Sequence, residues 1–200
     1  MKTFGIIGAG NIGKAVAHHL VKAGYPVTIS NSKGPESLKD IIAALGGSAK
    51  AGTAEEAAQA DIVVLALPWA QMPTITTLTD WTNRTVIDAS NAFVSFAPDF
   101  QVADLGGRAS SEVVAGYVPG AKLVKAFNTL NFKVLETDPQ TAGGNRVLFI
   151  SGDDADAKKD VKNAIKALGF AVVDMGTLAV ASHLQEPKGP LSNLNLIKLA

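Results

Sequence analysis

Short apolar runs rich in β-branched residues alternate along the chain with Ala- and Leu-rich stretches of helical period. This alternation is typical of repeated strand–helix units on a parallel sheet. The apolar runs show no strict polar alternation, which indicates strands buried on both faces. The pattern predicts eight strands, at residues 3–8, 26–30, 48–51, 61–67, 85–89, 122–127, 146–151 and 171–174.

The helical stretches lie between these strands. Three of them, at residues 12–23, 35–45 and 155–168, are closed by glycine, and weaker helices are predicted at residues 54–59, 69–78, 110–117 and 131–136. The glycine-rich segments at residues 105–108 and 142–145 are short enough to be ordinary loops. We therefore predict an α/β fold with a Rossmann-type, doubly wound, mainly parallel sheet that further C-terminal strands extend.

We predict one domain over residues 1–184, followed by an apolar tail at residues 185–200. The tail carries five large apolar side chains after a Pro- and Gly-containing segment, so we expect it to dock on the domain or on a dimer partner. These side chains are Leu191, Leu194, Leu196, Ile197 and Leu199.

Composition narrows the possible functions. The 200 residues carry 18 basic and 18 acidic side chains and no cysteine. A balanced charge argues against nucleic acid or a polybasic membrane surface as a partner. The longest apolar stretch, residues 62–70, contains Pro68 and is far shorter than the roughly 20 residues that span a bilayer. We expect a cytoplasmic protein with no membrane partner, and no metal site.

The strongest motif directly follows the first predicted strand and opens the first predicted helix. It consists of Gly8, Ala9, Gly10, Asn11, Ile12 and Gly13. Gly8 permits a tight turn, Gly10 lets a pyrophosphate approach the backbone, and Gly13 allows close packing of helix and strand. Free N–H groups at the helix start face the anion. The alternative is a structural loop, but strand, glycines and helix all have the spacing that a dinucleotide site requires.

The end of the second predicted strand indicates which dinucleotide is bound. An acidic residue there would hydrogen-bond the ribose 2′-hydroxyl of NAD. Here the polar residues are Ser30, Asn31, Ser32 and Lys33, which favour the 2′-phosphate of NADP. Two alternatives stay open: a polar loop with a solvated lysine, and Glu36 as the acid one turn late.

Three further strand ends point to the same edge of the sheet, where ligands bind in open α/β folds. Leu67, Pro68 and Trp69 follow the fourth strand, Ser90 and Asn91 follow the fifth, and Phe127, Asn128 and Thr129 follow the sixth. Each has a local explanation as a core, capping or turn residue. Their joint placement favours one crevice.

These motifs resemble those of the NADPH-dependent coenzyme F420 reductase family, its bacterial dinucleotide-binding relatives and the reductase domain of the STEAP metalloreductases. The resemblance covers nearly the whole chain and is carried by GAGNIGK at residues 8–14, SNSKGPESL at 30–38, LPW at 67–69, DASN at 88–91, KAFNT at 125–129 and GPL at 189–191.

The resemblance implies a Rossmann-type domain, usually a homodimer, that moves a hydride between NADP(H) and a small-molecule redox acceptor: coenzyme F420, FMN or FAD. It implies that residues 9–12 hold the pyrophosphate and that Ser32 and Lys33 hold the 2′-phosphate. Trp69 then lies along the nucleotide, and Asn128 with Thr129 lies where nicotinamide and acceptor meet. The archaeal enzymes have arginine in place of Lys33, and lysine keeps the charge but weakens bidentate contact with the phosphate. They have histidine in place of Asn128, and this difference leaves the acceptor open.

Hydride transfer between two stacked rings needs alignment more than a catalytic acid or base. Accordingly, we assign no catalytic residue. His18 and His19 are predicted to be surface or packing residues of the first helix, Asp88 a buried or capping acid, and Lys125 a structural or solvated residue. The alternatives are a non-catalytic NADP-binding redox sensor and a ferric reductase that uses added flavin.

Overall fold

A computed structural model describes residues 1–95 and 98–199. Its strands are β1 Phe4–Ile7, β2 Val27–Ser30, β3 Ala49–Ala51, β4 Ile62–Leu65, β5 Thr85–Asp88, β6 Phe93–Ser95, β7 Gln101–Val102, β8 Lys122–Lys125, β9 Gln140–Thr141, β10 Gly144–Gly152, β11 Ala171–Asp174 and β12 Ile197–Leu199. Its α-helices are α1 Asn11–Lys22, α2 Lys39–Leu45, α3 Ala54–Ala57, α4 Ser110–Tyr117, α5 Phe132–Leu135, α6 Ala155–Ala167 and α7 Leu178–Gln185, and Pro35–Leu38 and Trp69–Thr77 are 3-10 helices.

The main sheet has the strand order β11-β10-β8-β5-β4-β1-β2-β3. The six strands from β3 to β8 in this order are parallel, whereas β10 runs antiparallel to β8 and carries β11 parallel to itself. Strands β2 and β3 are added on one side of β1, and the chain then returns to add β4 on the other side of β1. This reversal between β1 and β4 is the topological switch point of a doubly wound sheet, and it confirms the predicted fold class.

Both faces of the central strands are buried, as the unbroken apolar runs predict. Ile6 and Val64 face one core cluster, which α1 and α6 cover, while the neighbouring Ile7 and Val63 face a second cluster that includes Trp81. Because side chains alternate along a strand, consecutive apolar residues serve two different cores.

All eight predicted strands are present, and four short ones were not predicted. The loop predicted at residues 142–145 is partly wrong, because Gly144 and Asn145 belong to β10. Ala142 and Gly143 alone turn the chain from β9 into β10, and both have positive φ, at 49° and 77°. Two residues with positive φ form the tight hairpin turn that matches strand twist.

Two predicted helices differ in type. The first turn of the helix predicted at residues 35–45 is the 3-10 helix Pro35–Leu38, and α2 follows it. The segment predicted as a helix at residues 69–78 is the 3-10 helix Trp69–Thr77, which contains Pro73. Proline has no N–H for an α-helical bond, so a regular α-helix is not favoured here. Helix α7 was not predicted.

The chain after α7 lies against the main sheet. Strand β12 pairs antiparallel with the first half of β10, with Ile197 opposite Arg146, and the Asn193 N–H donates to the Thr129 carbonyl at 2.7 Å. Helix α7 runs across the boundary predicted between residues 184 and 185. That boundary stays a prediction, and Ala200 of the predicted tail lies outside the described residues. Within residues 1–95 and 98–199, no helix combines the length and apolar character needed to cross a membrane.

Candidate active site

A cleft of about 510 Å³ opens at the carboxyl ends of the parallel strands, over the switch point between β1 and β4. The volume lies within the range typical of small-molecule sites. Eight of its lining residues were predicted as site residues: Gly10, Asn11, Ile12, Leu67, Pro68, Ser90, Asn91 and Asn128. The sequence therefore identified the floor of the cleft, where the strand ends converge.

The three glycines of the N-terminal motif differ in what surrounds them. Gly8 has φ of 113°, and a Cβ there would lie 2.3 Å from the Ala66 carbonyl oxygen. A Cβ on Gly13 would lie 1.9 Å from the Gly8 carbonyl oxygen, so Gly13 lets α1 pack directly against the turn. A Cβ on Gly10 would meet no atom within 4 Å. The backbone at Gly10 is thus open on the cleft side, which fits the approach of a ligand.

The start of α1 is electrostatically suited to an anion. Gly10 is its N-cap and offers no side-chain hydrogen bond, and the first turn carries no acidic residue. The first backbone N–H groups of a helix lack intrahelical partners and carry partial positive charge. Together with the open backbone at Gly10, this arrangement fits a pyrophosphate.

The loop after β2 is organised by one amide. Asn31 Oδ1 accepts from the Lys33 N–H at 2.9 Å, and Asn31 Nδ2 donates to Ser37 Oγ at 2.9 Å. The Ser32 and Lys33 side chains are exposed beside this turn. Glu36, the alternative acid, forms an exposed ion pair with Lys39 at 2.6 Å.

Ser30 requires a correction. Its side chain is fully buried and its hydroxyl donates to the Ile6 carbonyl at 3.1 Å, so it joins β2 to β1 and cannot reach a ligand. Ser30 is the last residue of its strand, and its side chain turns toward the sheet while those that follow turn outward. The polar group available for a phosphate begins at Asn31.

A buried ion pair supports the ends of β5 and β8. Lys125 Nζ lies 3.1 Å from Asp88 Oδ2, and both side chains are fully buried. Burial favours a raised pKa for Asp88, but the ammonium of Lys125 and the hydroxyls of Ser111 and Ser90 together hold that pKa below its usual value. Both residues are structural, as predicted for Asp88 and as one of the two alternatives for Lys125.

The ion pair fixes the loop that lines the cleft. Asp88 Oδ1 accepts from the backbone N–H of Ser90 at 2.9 Å and from its hydroxyl at 2.6 Å. Lys125 Nζ also donates to the Ser90 carbonyl at 3.3 Å and to Ser110 Oγ at 3.2 Å. Ser90 is therefore held from both sides, and the position of Asn91 in the cleft follows from it.

Asn128 links the end of β8 to two other parts of the cleft. Its Nδ2 donates to Asn91 Oδ1 at 3.1 Å and to the Gln185 carbonyl at 2.7 Å, and Asn91 Nδ2 donates back to the Asn128 carbonyl at 3.1 Å. Asn128 Oδ1 is buried and has no hydrogen-bond partner among the described residues. An unpaired buried oxygen costs about 1–3 kcal/mol, which points to a donor supplied by a ligand.

The neighbours of Asn128 are not free to contact a ligand with their side chains. Phe127 has φ of 67° and packs in the first core cluster. A positive φ at an aromatic residue is strained, and such strain concentrates at functional sites. Thr129 is buried, and its carbonyl accepts the bond from Asn193. Trp69 is half-buried against the second core cluster and does not line the cleft, so its predicted role beside a nucleotide has no support from the geometry.

Sequence reasoning missed the walls of the cleft. One wall is the β6–β7 hairpin, where the rings of Phe93 and Phe100 meet edge to face with centroids 5.6 Å apart. Further lining comes from the tail, from the start of α5 and from the two residues before it: Pro187, Ser192, Asn193, Phe132, Leu130 and Asn131. The GPL segment at residues 189–191, which carries part of the resemblance, lies between Pro187 and Ser192 and was the sequence signal for this part of the lining.

The N-terminal part of the chain is similar to a known protein family. Residues 3–92, which contain the glycine motif, the loop after β2 and the Ser90–Asn91 pair, match the model of the family described as NADP oxidoreductase, coenzyme F420-dependent. The matched segment runs from the start of β1 to the loop after β5 and covers a little under half of the chain.

Two solved structures are similar to this chain over most of its length. A hypothetical protein from Sinorhizobium meliloti is 48% identical over 99% of this chain and 96% of its own, with a TM-score of 0.93. A proposed F420-dependent NADP reductase from Arthrobacter sp. FB24 shares the fold, at 24% identity over 92% of this chain and 89% of its own and a TM-score of 0.80.

The curated relatives are much longer proteins. The metalloreductase STEAP3 of Rattus norvegicus is 28% identical over 90% of this chain, but the match covers 35% of its own length. The chain thus spans about a third of the length of the curated relatives that it matches.

Proposed function

We propose that this protein is an NADPH-dependent reductase that passes a hydride to a flat redox ring, either a deazaflavin such as coenzyme F420 or a flavin. The observation that carries the proposal is the lining of the cleft: it continues directly from the glycine motif, and none of its 18 described residues is ionisable. When bound, NADPH supplies the hydride from its nicotinamide ring.

The chain's own residues bind and orient the cofactor in this proposal. The open backbone at Gly10 and the uncapped start of α1 hold the pyrophosphate. Ser32 and Lys33, exposed beside the Asn31 turn, hold the 2′-phosphate, and Lys33 has no acidic partner in the described part of the chain. Leu67, Pro68 and Asn91 guide the nicotinamide half along the cleft floor toward Asn128.

The uncharged lining favours a ring acceptor over a hydroxy acid, an imine or a ketone. Reduction of a carbonyl or imine carbon usually uses a side-chain proton donor such as Lys, His or Tyr. No such residue lines the cleft in residues 1–95 and 98–199. A flavin or deazaflavin needs only a hydride and a proton from solvent, so alignment of the two rings is the protein's main contribution.

Three further properties belong to this proposal. We infer a cytoplasmic protein that acts without a nucleic-acid or membrane partner. The balance of 18 basic and 18 acidic side chains supports the absence of a polyanionic partner. We also infer a homodimer, because large apolar side chains of α7 and the tail remain exposed: Val180, Leu184, Leu194, Leu196 and Leu199.

The test is an acceptor screen with purified protein. NADPH oxidation is followed with coenzyme F420, FMN, FAD and riboflavin, and NADH is the matched control donor. We expect oxidation of NADPH with at least one of these rings and slower oxidation of NADH. Tight NADPH binding without oxidation by any of them would instead favour the redox sensor. Iron reduction that occurs only with added flavin would favour the ferric-reductase alternative, in which the reduced flavin reduces the iron.

A further inference from the structure

The walls of the cleft outside the glycine motif are aromatic or amide in character. Phe93 and Phe100 face the cleft from the β6–β7 hairpin, and Asn193 faces it from the tail. Phe100 is 50% exposed, so its ring is available at the rim. Aromatic rings offer stacking area, and amides offer both donors and acceptors.

Among the described residues, no charged side chain lines the cleft, although the exposed Lys133 and Lys188 directly follow the lining residues Phe132 and Pro187. The Asp88–Lys125 pair is fully buried behind Ser90, and Glu186 accepts from the Ser110 N–H at 2.5 Å while it contacts His183. None of these four side chains lines the cleft. A phosphate or carboxylate on an acceptor therefore finds no fixed cation on the described walls.

We propose that the acceptor subsite recognises an uncharged heteroaromatic ring and not the charged chain attached to it. This inference rests on the proposed function and specifies its substrate class: rings with an N–H and carbonyl edge, such as the pyrimidine edge of flavins and deazaflavins. The ring stacks on Phe100 and Phe93. Asn128 Oδ1, unpaired among the described residues, accepts from a ring N–H or from the nicotinamide carboxamide.

The reaction balances without a protein acid. NADPH loses a hydride and becomes NADP⁺, while the ring gains that hydride at one atom and a proton from water at another. Charge on the acceptor's side chain takes no part in this exchange. Riboflavin, FMN and FAD should therefore all accept the hydride in this subsite.

The first test compares these three flavins at saturating NADPH. They share one ring and differ in the charge of the attached chain. We expect KM values within about fivefold of one another, the most that one exposed ion pair would change them. We also expect KM for FMN to change little as salt rises, since no cation on the walls is screened.

Two outcomes of this comparison are decisive. A KM for FMN more than about tenfold below that for riboflavin, which rises steeply with salt, would overturn the inference, because it requires a cation for the phosphate. If no flavin or deazaflavin oxidises NADPH, the proposed function itself fails, and that result is distinct from charge selectivity.

The second test locates the subsite on the protein. The variant is Phe100→Ser, and Val94→Ser is the matched control, because Val94 lies on the same hairpin, is 57% exposed and does not line the cleft. We expect Phe100→Ser to raise KM for all three flavins by a similar factor of about two to ten. The Kd for NADPH and the far-UV circular dichroism should stay unchanged. An effect no larger than that of Val94→Ser, or an effect on FMN alone, would overturn the inference.

Discussion

The buried ion pair of Asp88 and Lys125 shows how a contact outside the cleft positions a residue of the candidate site. It lies behind the cleft, yet it fixes Ser90 through both the backbone and the hydroxyl. Hydroxyls of Ser110 and Ser111 complete the shell around the two charges. Such a pair is costly to desolvate, so its value lies in the single loop geometry that it enforces.

Removal of one partner of the Asp88–Lys125 ion pair should therefore destabilise the protein strongly. Lys125→Met leaves Asp88 charged and buried, and we expect it to lower the free energy of unfolding by about 3–5 kcal/mol. Lys122→Met is the matched control, because Lys122 pairs with Asp154 on the surface and the loss should be within about 1 kcal/mol. Urea denaturation measures both. Equal losses in the two variants would show that the buried pair is not what holds this region.

The proposed preference for NADP over NAD depends on two exposed residues after β2, Ser32 and Lys33. Ser32→Glu places a carboxylate where the 2′-phosphate is proposed to bind. We expect it to raise KM for NADPH by about tenfold or more and to leave KM for NADH unchanged or lower. Glu36→Gln, on the next turn and paired with Lys39, is the control and should change neither value. If Ser32→Glu affects NADPH and NADH equally, the phosphate lies elsewhere.

At the scale of elements, two glycines of the motif have different roles: Gly13 allows close packing, and Gly10 leaves space for a ligand. Gly13→Ala drives a Cβ into the Gly8 carbonyl, 1.9 Å away, so it should destabilise the fold by about 1–3 kcal/mol or more. Gly10→Ala meets no atom within 4 Å, and the φ of −75° at this position suits alanine. It should leave the thermal midpoint unchanged or slightly higher.

The Gly10→Ala variant is expected to change NADPH binding and not stability. We expect Gly10→Ala to weaken NADPH binding at least tenfold, because its methyl occupies the space that a pyrophosphate needs. Isothermal titration beside thermal melting separates the two effects. A folded Gly10→Ala protein that binds NADPH as tightly as the wild type would show that the pyrophosphate does not lie on this loop.

Elements with a strong local pattern could be predicted from the sequence, and those defined by distant contacts could not. The buried strands β1, β4 and β5 are apolar runs long enough to recognise. Strand β12 has three residues and exists because it pairs with β10. The region around Pro73 looked helical by its apolar spacing, but the missing N–H favours a 3-10 helix.

The candidate site shows the same division. The residues of its floor follow strands, so sheet topology alone brings Asn11, Leu67, Ser90 and Asn128 together. Its walls depend on where the β6–β7 hairpin and the tail fold back, and no local spacing records that. Ser30 was misjudged because residues at a strand end alternate between the sheet and the solvent, and the exact end of the strand was not fixed by the pattern.

At the scale of the whole molecule, the exposed apolar side chains of α7 and the tail lead to the proposed dimer. Val180 and Leu199 are 73% and 65% exposed. We expect a dimer by sedimentation velocity and a shift toward monomer in the double variant Val180→Asp, Leu199→Asp. Val94→Asp is the control, because Val94 is an exposed valine of the hairpin, at 57%, and this variant should leave the dimer intact. A wild-type monomer at micromolar concentration would contradict the proposal.

The proposed function places a phosphate-binding loop and an uncharged, aromatic-walled subsite in the same cleft. The most direct test of that account is the rate of NADPH oxidation with riboflavin, FMN and coenzyme F420, beside the same reactions with NADH. The account predicts turnover with NADPH on at least one of these rings, with NADH markedly slower. Equal rates with both donors, or binding of NADPH with no turnover on any ring, would contradict it.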